Sequence, residues 1–160
     1  MATKQNKTEM TRRRFIGASA VGTFGFQVVP SRVFGANSRL AVAGIGSGGK
    51  GRADITGAAK AGADIVALCD VDESRAAVMF KTHAKAKRFA DFRVMLEKMG
   101  TSIDACTIST PDHTHAASTS MAMKMGKHCY TQKPLTHDVY EARHLTRLAK
   151  ETDVTTQMGN

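Results

Sequence analysis

The segment from Leu40 to Asp72 constrains the fold more than any other part of the chain. An apolar run from Leu40 to Ile45 leads into Gly46-Ser47-Gly48-Gly49-Lys50-Gly51, a helical stretch follows, and a second apolar run, Asp64 to Asp70, ends on an acid. Strand, glycine turn, helix, then a strand tipped by a carboxylate is the order that a dinucleotide requires. Glycines let the backbone approach a diphosphate closely. The helix start offers unpaired N–H groups and the positive end of a dipole. An acid at the second strand tip can accept hydrogen bonds from ribose hydroxyls.

Two registers of G-x-G-x-x-G overlap, Gly44/Gly46/Gly49 and Gly46/Gly48/Gly51. The second keeps Leu40 to Ile45 in the strand and opens the turn at Gly46, and Asp70 then follows at about the expected twenty residues. A glycine-rich turn without a ligand accounts for one or two of these glycines, but not for so many between 44 and 51. Gly44 to Lys50 also fits the beginning of a phosphate-binding P-loop. That motif needs Ser or Thr after its lysine to hold magnesium, and Gly51 stands there, which argues against a nucleotide triphosphatase.

The remaining chain alternates strand and helix signals. Strands are predicted over 39–45, 64–70, 103–109, 127–131 and 153–158, with a short edge strand at 88–90. Helices are predicted over 50–61, 73–86, 91–99 (capped by Asp91), 113–125 (closed by Gly126) and 137–151. Strands separated by helices imply an α/β fold, a Rossmann-type doubly wound parallel sheet with right-handed crossovers. Ligands in such sheets lie beyond the C-terminal strand ends. Here those tips are Gly46 to Gly51, Asp70, Thr110-Pro111 and Gln132-Lys133-Pro134.

The net charge of +9 suggests a nucleic-acid binder at first sight. More than half of it comes from Lys4, Lys7, Arg12, Arg13, Arg14 and Arg32, opposed before Ala36 only by Glu9. Past that point no basic stripe with interleaved aromatics remains, which excludes nucleic acid as an expected partner. Cys69, Cys106 and Cys129 sit in or beside apolar strands without a C-x-x-C pairing, as small core residues do. Asp112, His113 and His115 are neighbours on a strand-to-helix turn with no fourth ligand in reach, so no metal is expected. The methionines at 121, 123 and 125 read as packing residues.

Residues 1–36 read as an export signal. A polar, basic start precedes Thr11-Arg12-Arg13-Arg14-Phe15-Ile16-Gly17, and an apolar, small-residue run continues to Pro30. The run is short and glycine-rich for a membrane span, so no stable span is expected once the signal is removed. Paired arginines ahead of Phe15 resemble a twin-arginine translocation signal, which implies a periplasmic or cell-envelope location. Proteins on that route travel folded, so a tightly held cofactor could be loaded before export.

With these motifs in place, Leu40 to Asn160 resembles the N-terminal half of the Gfo/Idh/MocA family of oxidoreductases. The resemblance rests on Ile45 to Gly51, Cys69-Asp70-Val71-Asp72, Thr110-Pro111-Asp112-His113-Thr114-His115, Gly126-Lys127-His128 and Gln132-Lys133-Pro134-Leu135. It implies that Gly46, Ser47, Gly48, Gly49, Gly51 and Asp70 bind the dinucleotide. It places Thr110, Pro111 and His115 along the cofactor cleft, and sets Lys133 beside the nicotinamide and the reacting carbon. Glutamate is usual where Gln132 stands. A neutral amide can still hydrogen bond to ribose or nicotinamide but cannot act as a carboxylate. A lysine has a chemical case of its own, since its ammonium can polarise a substrate oxygen and its amine can accept a proton. Asp70 on a free ribose 2′-hydroxyl favours NAD, with NADP possible because Arg75 is near.

The resemblance further implies a second, substrate-binding domain and a homo-oligomer. The chain is therefore expected to be the nucleotide-binding part of a longer protein, inactive by itself. Three functions remain in view: an exported NAD(P)-dependent oxidoreductase acting on a sugar, polyol or related hydroxyl compound; a glycosidase of the same fold that restores its bound NAD in each cycle; and a non-catalytic dinucleotide-binding module.

Overall fold

A computed structural model describes residues 39–160. The export signal expected at residues 1–36 lies outside the described residues. Strand β1 (Ala41–Ile45) is followed by α1 (Gly51–Lys60), β2 (Asp64–Cys69), α2 (Glu73–Thr82), β3 (Lys87–Phe89) and α3 (Phe92–Met99). A short 3-10 turn, Gly100–Ser102, leads to β4 (Ala105–Ile108), and a second, Asp112–Thr114, precedes α4 (His115–Lys124). The chain continues through β5 (His128–Thr131), α5 (Val139–Thr152) and β6 (Thr156–Met158). All six strands pair in parallel in the order β3-β2-β1-β4-β5-β6. This is the Rossmann-type arrangement, and the strand order reverses between β1 and β4, where such sheets bind ligands.

The period-two pattern of the strands divides the core between the two sheet faces. Ala67 and Cys69 of β2 join Ala43, Ile45, Met95, Leu96, Ile108, Met123 and Leu145 in one cluster, while Leu68 between them joins Ile55, Met79 and Phe80 in another. Leu68, Met95 and Leu96 are wholly buried, each contributing roughly 1.5–3 kcal/mol. Met123 is a core residue and Met121 packs against the same cluster.

Helix starts follow carboxylate caps. Asp72, Asp91 and Asp138 accept from the backbone amides of Arg75, Arg93 and Glu141 respectively, the role that acids serve at N-caps. These bonds, with the Ser74 hydroxyl on Asp72 and the Arg93 guanidinium on Asp91, hold both carboxyls below the usual range. Several ends differ from the sequence expectation. Helix α2 stops at Thr82, short of Ala86, and the turn that follows sends Ala86 into the core and aligns Lys87–Phe89 with β2. Helix α4 begins at His115, because Asp112–Thr114 wind as a 3-10 turn after an extended Pro111. Asp153 takes a left-handed conformation with φ 51° that ends α5, so β6 starts only at Thr156.

Cys69, Cys106 and Cys129 are free and buried. Burial pushes the Cys69 thiol up to about 12, with the Asp70 and Asp91 charges adding to it. Burial likewise takes Cys129 to about 12 and raises Cys106. Burial thus disfavours the thiolate at all three, as it does for cysteines that pack in a core. Among the described residues no helix is long and apolar enough to cross a membrane. Among them, too, no three His, Cys, Asp or Glu side chains gather as a metal site would require.

Candidate cofactor-binding site

A cleft of about 660 Å³ opens at the C-terminal edge of the sheet, over the point where the strand order reverses. Its floor and one wall are the glycine turn (Gly46, Gly48, Gly49, Lys50). The acid-bearing loop after β2 (Asp70, Val71, Asp72) with Arg75 forms a second wall, and Ser109, Thr110, Pro111 and His113 after β4 form a third. Three of the four groups expected at one edge are therefore brought together on this cleft, and the fourth, Gln132-Lys133-Pro134, does not line it.

Two glycines make the turn possible. Gly46 has φ +80°, and an added Cβ there would lie 2.7 Å from the Ser109 carbonyl. Gly51 begins α1 so close to the turn that its Cβ would stand 1.8 Å from the Gly46 carbonyl oxygen. Strand β1 thus reverses into the helix within a space that excludes any side chain at 51. Among the described residues the amides of Gly49, Lys50 and Arg52 meet no backbone or side-chain acceptor. Together with the helix dipole they form a cradle suited to a diphosphate.

Asp70 follows β2 and faces the cleft. Its Oδ2 accepts from the Gly48 amide at 2.8 Å and its Oδ1 from the Asp72 amide at 2.9 Å. The carboxylate thus braces the glycine turn as well as standing ready for a ligand, because each oxygen retains a lone pair for a ribose hydroxyl. Arg75 packs its Cβ against Gly48. Ser47 is fully buried, with its hydroxyl donating to the Cys69 carbonyl at 3.2 Å, and it shapes the turn from beneath. At the third wall the Thr110 hydroxyl is buried without a partner among the described residues. The cradle, the carboxylate and the orphaned hydroxyl all fit a dinucleotide.

Ser47 and Gly51 support the turn without lining the cleft, and three further expected site residues also lie differently from the sequence reading. His115 does not line the cleft; it is buried behind the wall. Its Nδ1 faces the Pro134 carbonyl and its Nε2 the Thr110 carbonyl, both at 2.7 Å. Both partners only accept, so a neutral ring donates to one of them and only an imidazolium donates to both. Gln132 is buried and turned inward, its Nε2 donating to Asp54 Oδ1 at 3.2 Å. Lys133 is exposed and is not on the cleft wall. The main chain is held on either side of it, at Gln132 by its backbone N–H donating to the Ile108 carbonyl at 2.9 Å and at Pro134 by His115, so a fixed main chain presents an exposed side chain.

The sequence reading missed Ser109 and the apolar Phe92, which line the cleft, and Asp54, which does not line it but accepts from the Ser109 hydroxyl. For Asp54 one signal existed: it stands four residues after Lys50, and that pair closes at 3.0 Å. The contacts of Asp54 with Ser109 and Gln132 span 55 and 78 positions, and no local pattern announces them.

Comparison with known proteins agrees with this geometry. The chain is 33% identical over 121 residues to scyllo-inositol 2-dehydrogenase (NAD(+)) of Bacillus subtilis, covering 76% of this chain and 35% of that enzyme. It is 40% identical over 58 residues to UDP-N-acetylglucosamine 3-dehydrogenase of Acidithiobacillus ferrooxidans, covering 36% of this chain and 18% of the enzyme. The solved structure of that second enzyme superposes with TM-score 0.66 and 30% identity, over 76% of this chain and 38% of the other. The chain thus spans little more than a third of the length of these relatives at most. Residues 38–160 match the model of the GFO_IDH_MocA oxidoreductase family with its NAD-binding Rossmann fold, and the chain belongs to that family.

Proposed function

We propose that this protein is an NAD-dependent dehydrogenase that moves a hydride between the nicotinamide and a hydroxyl-bearing carbon of a sugar, a polyol or a nucleotide-linked sugar. The observation that carries this reading is the convergence of the glycine turn, Asp70 and the Thr110-Pro111 loop on one cleft, with His115 tying the Thr110 carbonyl to that of Pro134, next to Lys133. The names of the two relatives, an inositol dehydrogenase and a nucleotide-sugar dehydrogenase, support the substrate class. Nicotinamide, when bound, supplies or takes up the hydride. The turn amides bind the diphosphate, Asp70 orients the adenosine ribose, and Lys133 Nζ holds or moves the proton at the substrate oxygen. A 2′-phosphate would meet the Asp70 carboxylate, so NAD is preferred over NADP.

In this reading residues 37–160 are the nucleotide-binding part, and residues 1–36 are a twin-arginine signal that takes the protein to the periplasm or cell envelope. Lysine at both Arg12 and Arg13 should hold a fused reporter in the cytoplasm, and export undiminished by that change would refute the address. For the chemistry, the protein is incubated with NAD and panels of inositols, sugars and nucleotide sugars. The expected result is a rise in nicotinamide absorbance equal to the product formed. Product without any net absorbance change would instead identify the redox-neutral glycosidase.

A further inference from the structure

Asp54 sits in the first turn of α1 with its side chain only 5% exposed. Its Oδ1 accepts from Lys50 Nζ at 3.0 Å and Gln132 Nε2 at 3.2 Å, and its Oδ2 from the Ser109 hydroxyl at 2.7 Å. Each donor belongs to a different part of the site. Lys50 closes the glycine turn, Ser109 follows β4, and Gln132 follows β5. One buried carboxylate thus connects three strand-end loops. Gln132 has little freedom to leave it. Its backbone N–H donates to the Ile108 carbonyl at 2.9 Å, the Tyr130 hydroxyl stands 3.5 Å from its Nε2, and a Cβ on Gly159 would lie 2.5 Å from the same atom.

We propose that Asp54 is the positioning residue for the loop after β5 that carries Lys133, and that its carboxylate is what requires an amide rather than an acid at position 132. The idea rests on the reading of Lys133 as the proton-handling group. An amide at 132 donates to Asp54. An acid there would set a second carboxylate against the first in a buried site, and like charges at such range cannot both ionise without a large cost. The neighbouring Lys50 is one cation against two acids, and the Tyr130 hydroxyl adds no positive charge. The glutamine where the family resemblance leads one to expect glutamate is thereby matched to its partner across the sheet.

The test compares Asp54→Asn, Gln132→Glu and the double variant in the full protein, by NADH fluorescence titration and thermal unfolding at pH 5 and pH 8. Gln132→Glu should weaken NADH binding about tenfold or more at pH 8, equivalent to about 1.4 kcal/mol. It should regain most of that at pH 5, where the two acids share a proton. The double variant should return to within about threefold of the parent at both pH values, because the introduced amide at 54 donates to the introduced acid. Wild-type binding by Gln132→Glu at pH 8, or a double variant no better than it, overturns the proposal. If Gln132→Glu fails to fold, a soluble double variant supports the coupling and an insoluble one refutes it. If the parent itself binds no NADH, the dehydrogenase reading fails, while rescue or its absence in the unfolding temperatures still decides the Asp54–Gln132 pair.

Discussion

Gly51→Ala is expected to abolish NADH binding and to destabilise the domain by about 4 kcal/mol or more, the exceptional end of single-substitution effects. The added Cβ would stand 1.8 Å from the Gly46 carbonyl oxygen, which is backbone and cannot rotate away. Relief requires moving α1 from the turn. That movement takes the Gly49, Lys50 and Arg52 amides out of the cradle and strains the Gly48–Asp70 bond of 2.8 Å. For a domain whose whole stability is about 5–15 kcal/mol, the transition should fall on the order of 10 °C or more. Gly57→Ala is the matched control. It lies on the same helix with nothing within 4 Å of its added Cβ, so the gain in helix propensity should stabilise by up to about 1 kcal/mol. Fluorescence titration with NADH and urea unfolding read both effects. Unchanged affinity in Gly51→Ala would mean that the turn does not carry the dinucleotide.

Lys133→Ala should lower turnover by about 10²–10⁴-fold, the usual contribution of a positioned proton donor or acceptor. NADH affinity should stay within about threefold, and thermal stability should hardly move, because the side chain is exposed and makes no hydrogen bond or ion pair among the described residues. Lys133→Arg should do little better than alanine if the group must give up its proton, since a guanidinium stays charged. Recovery by arginine would assign Lys133 a purely electrostatic role. Turnover, affinity and melting measured on the same preparations separate these outcomes. A variant that loses cofactor affinity and turnover together would place Lys133 in binding rather than chemistry.

Much of the architecture was legible because its signals are local. The run Leu40 to Ile45, the glycines after it and the acid at 70 define strand, turn and second strand within about thirty residues, and they stand in the fold as that spacing demands. Asp91 could be read as a cap from its position before Phe92. The element ends were less legible, because they depend on contacts elsewhere. The early stop of α2 reflects where Ala86 packs, and the late start of β6 reflects the left-handed Asp153.

What the linear chain determined is the kind of sheet, the edge at which a ligand would sit, and the turn at 46–51, since backbone space and strand–helix alternation are properties of neighbouring residues. Which side chains face the cleft and which hold it from behind was decided only by tertiary structure. His115 joins two loops across nineteen positions, and Asp54 reaches Gln132 across seventy-eight. The reason is physical: a buried polar group must find its partner wherever folding places one, and that partner is chosen by the packing of strands rather than by distance along the chain.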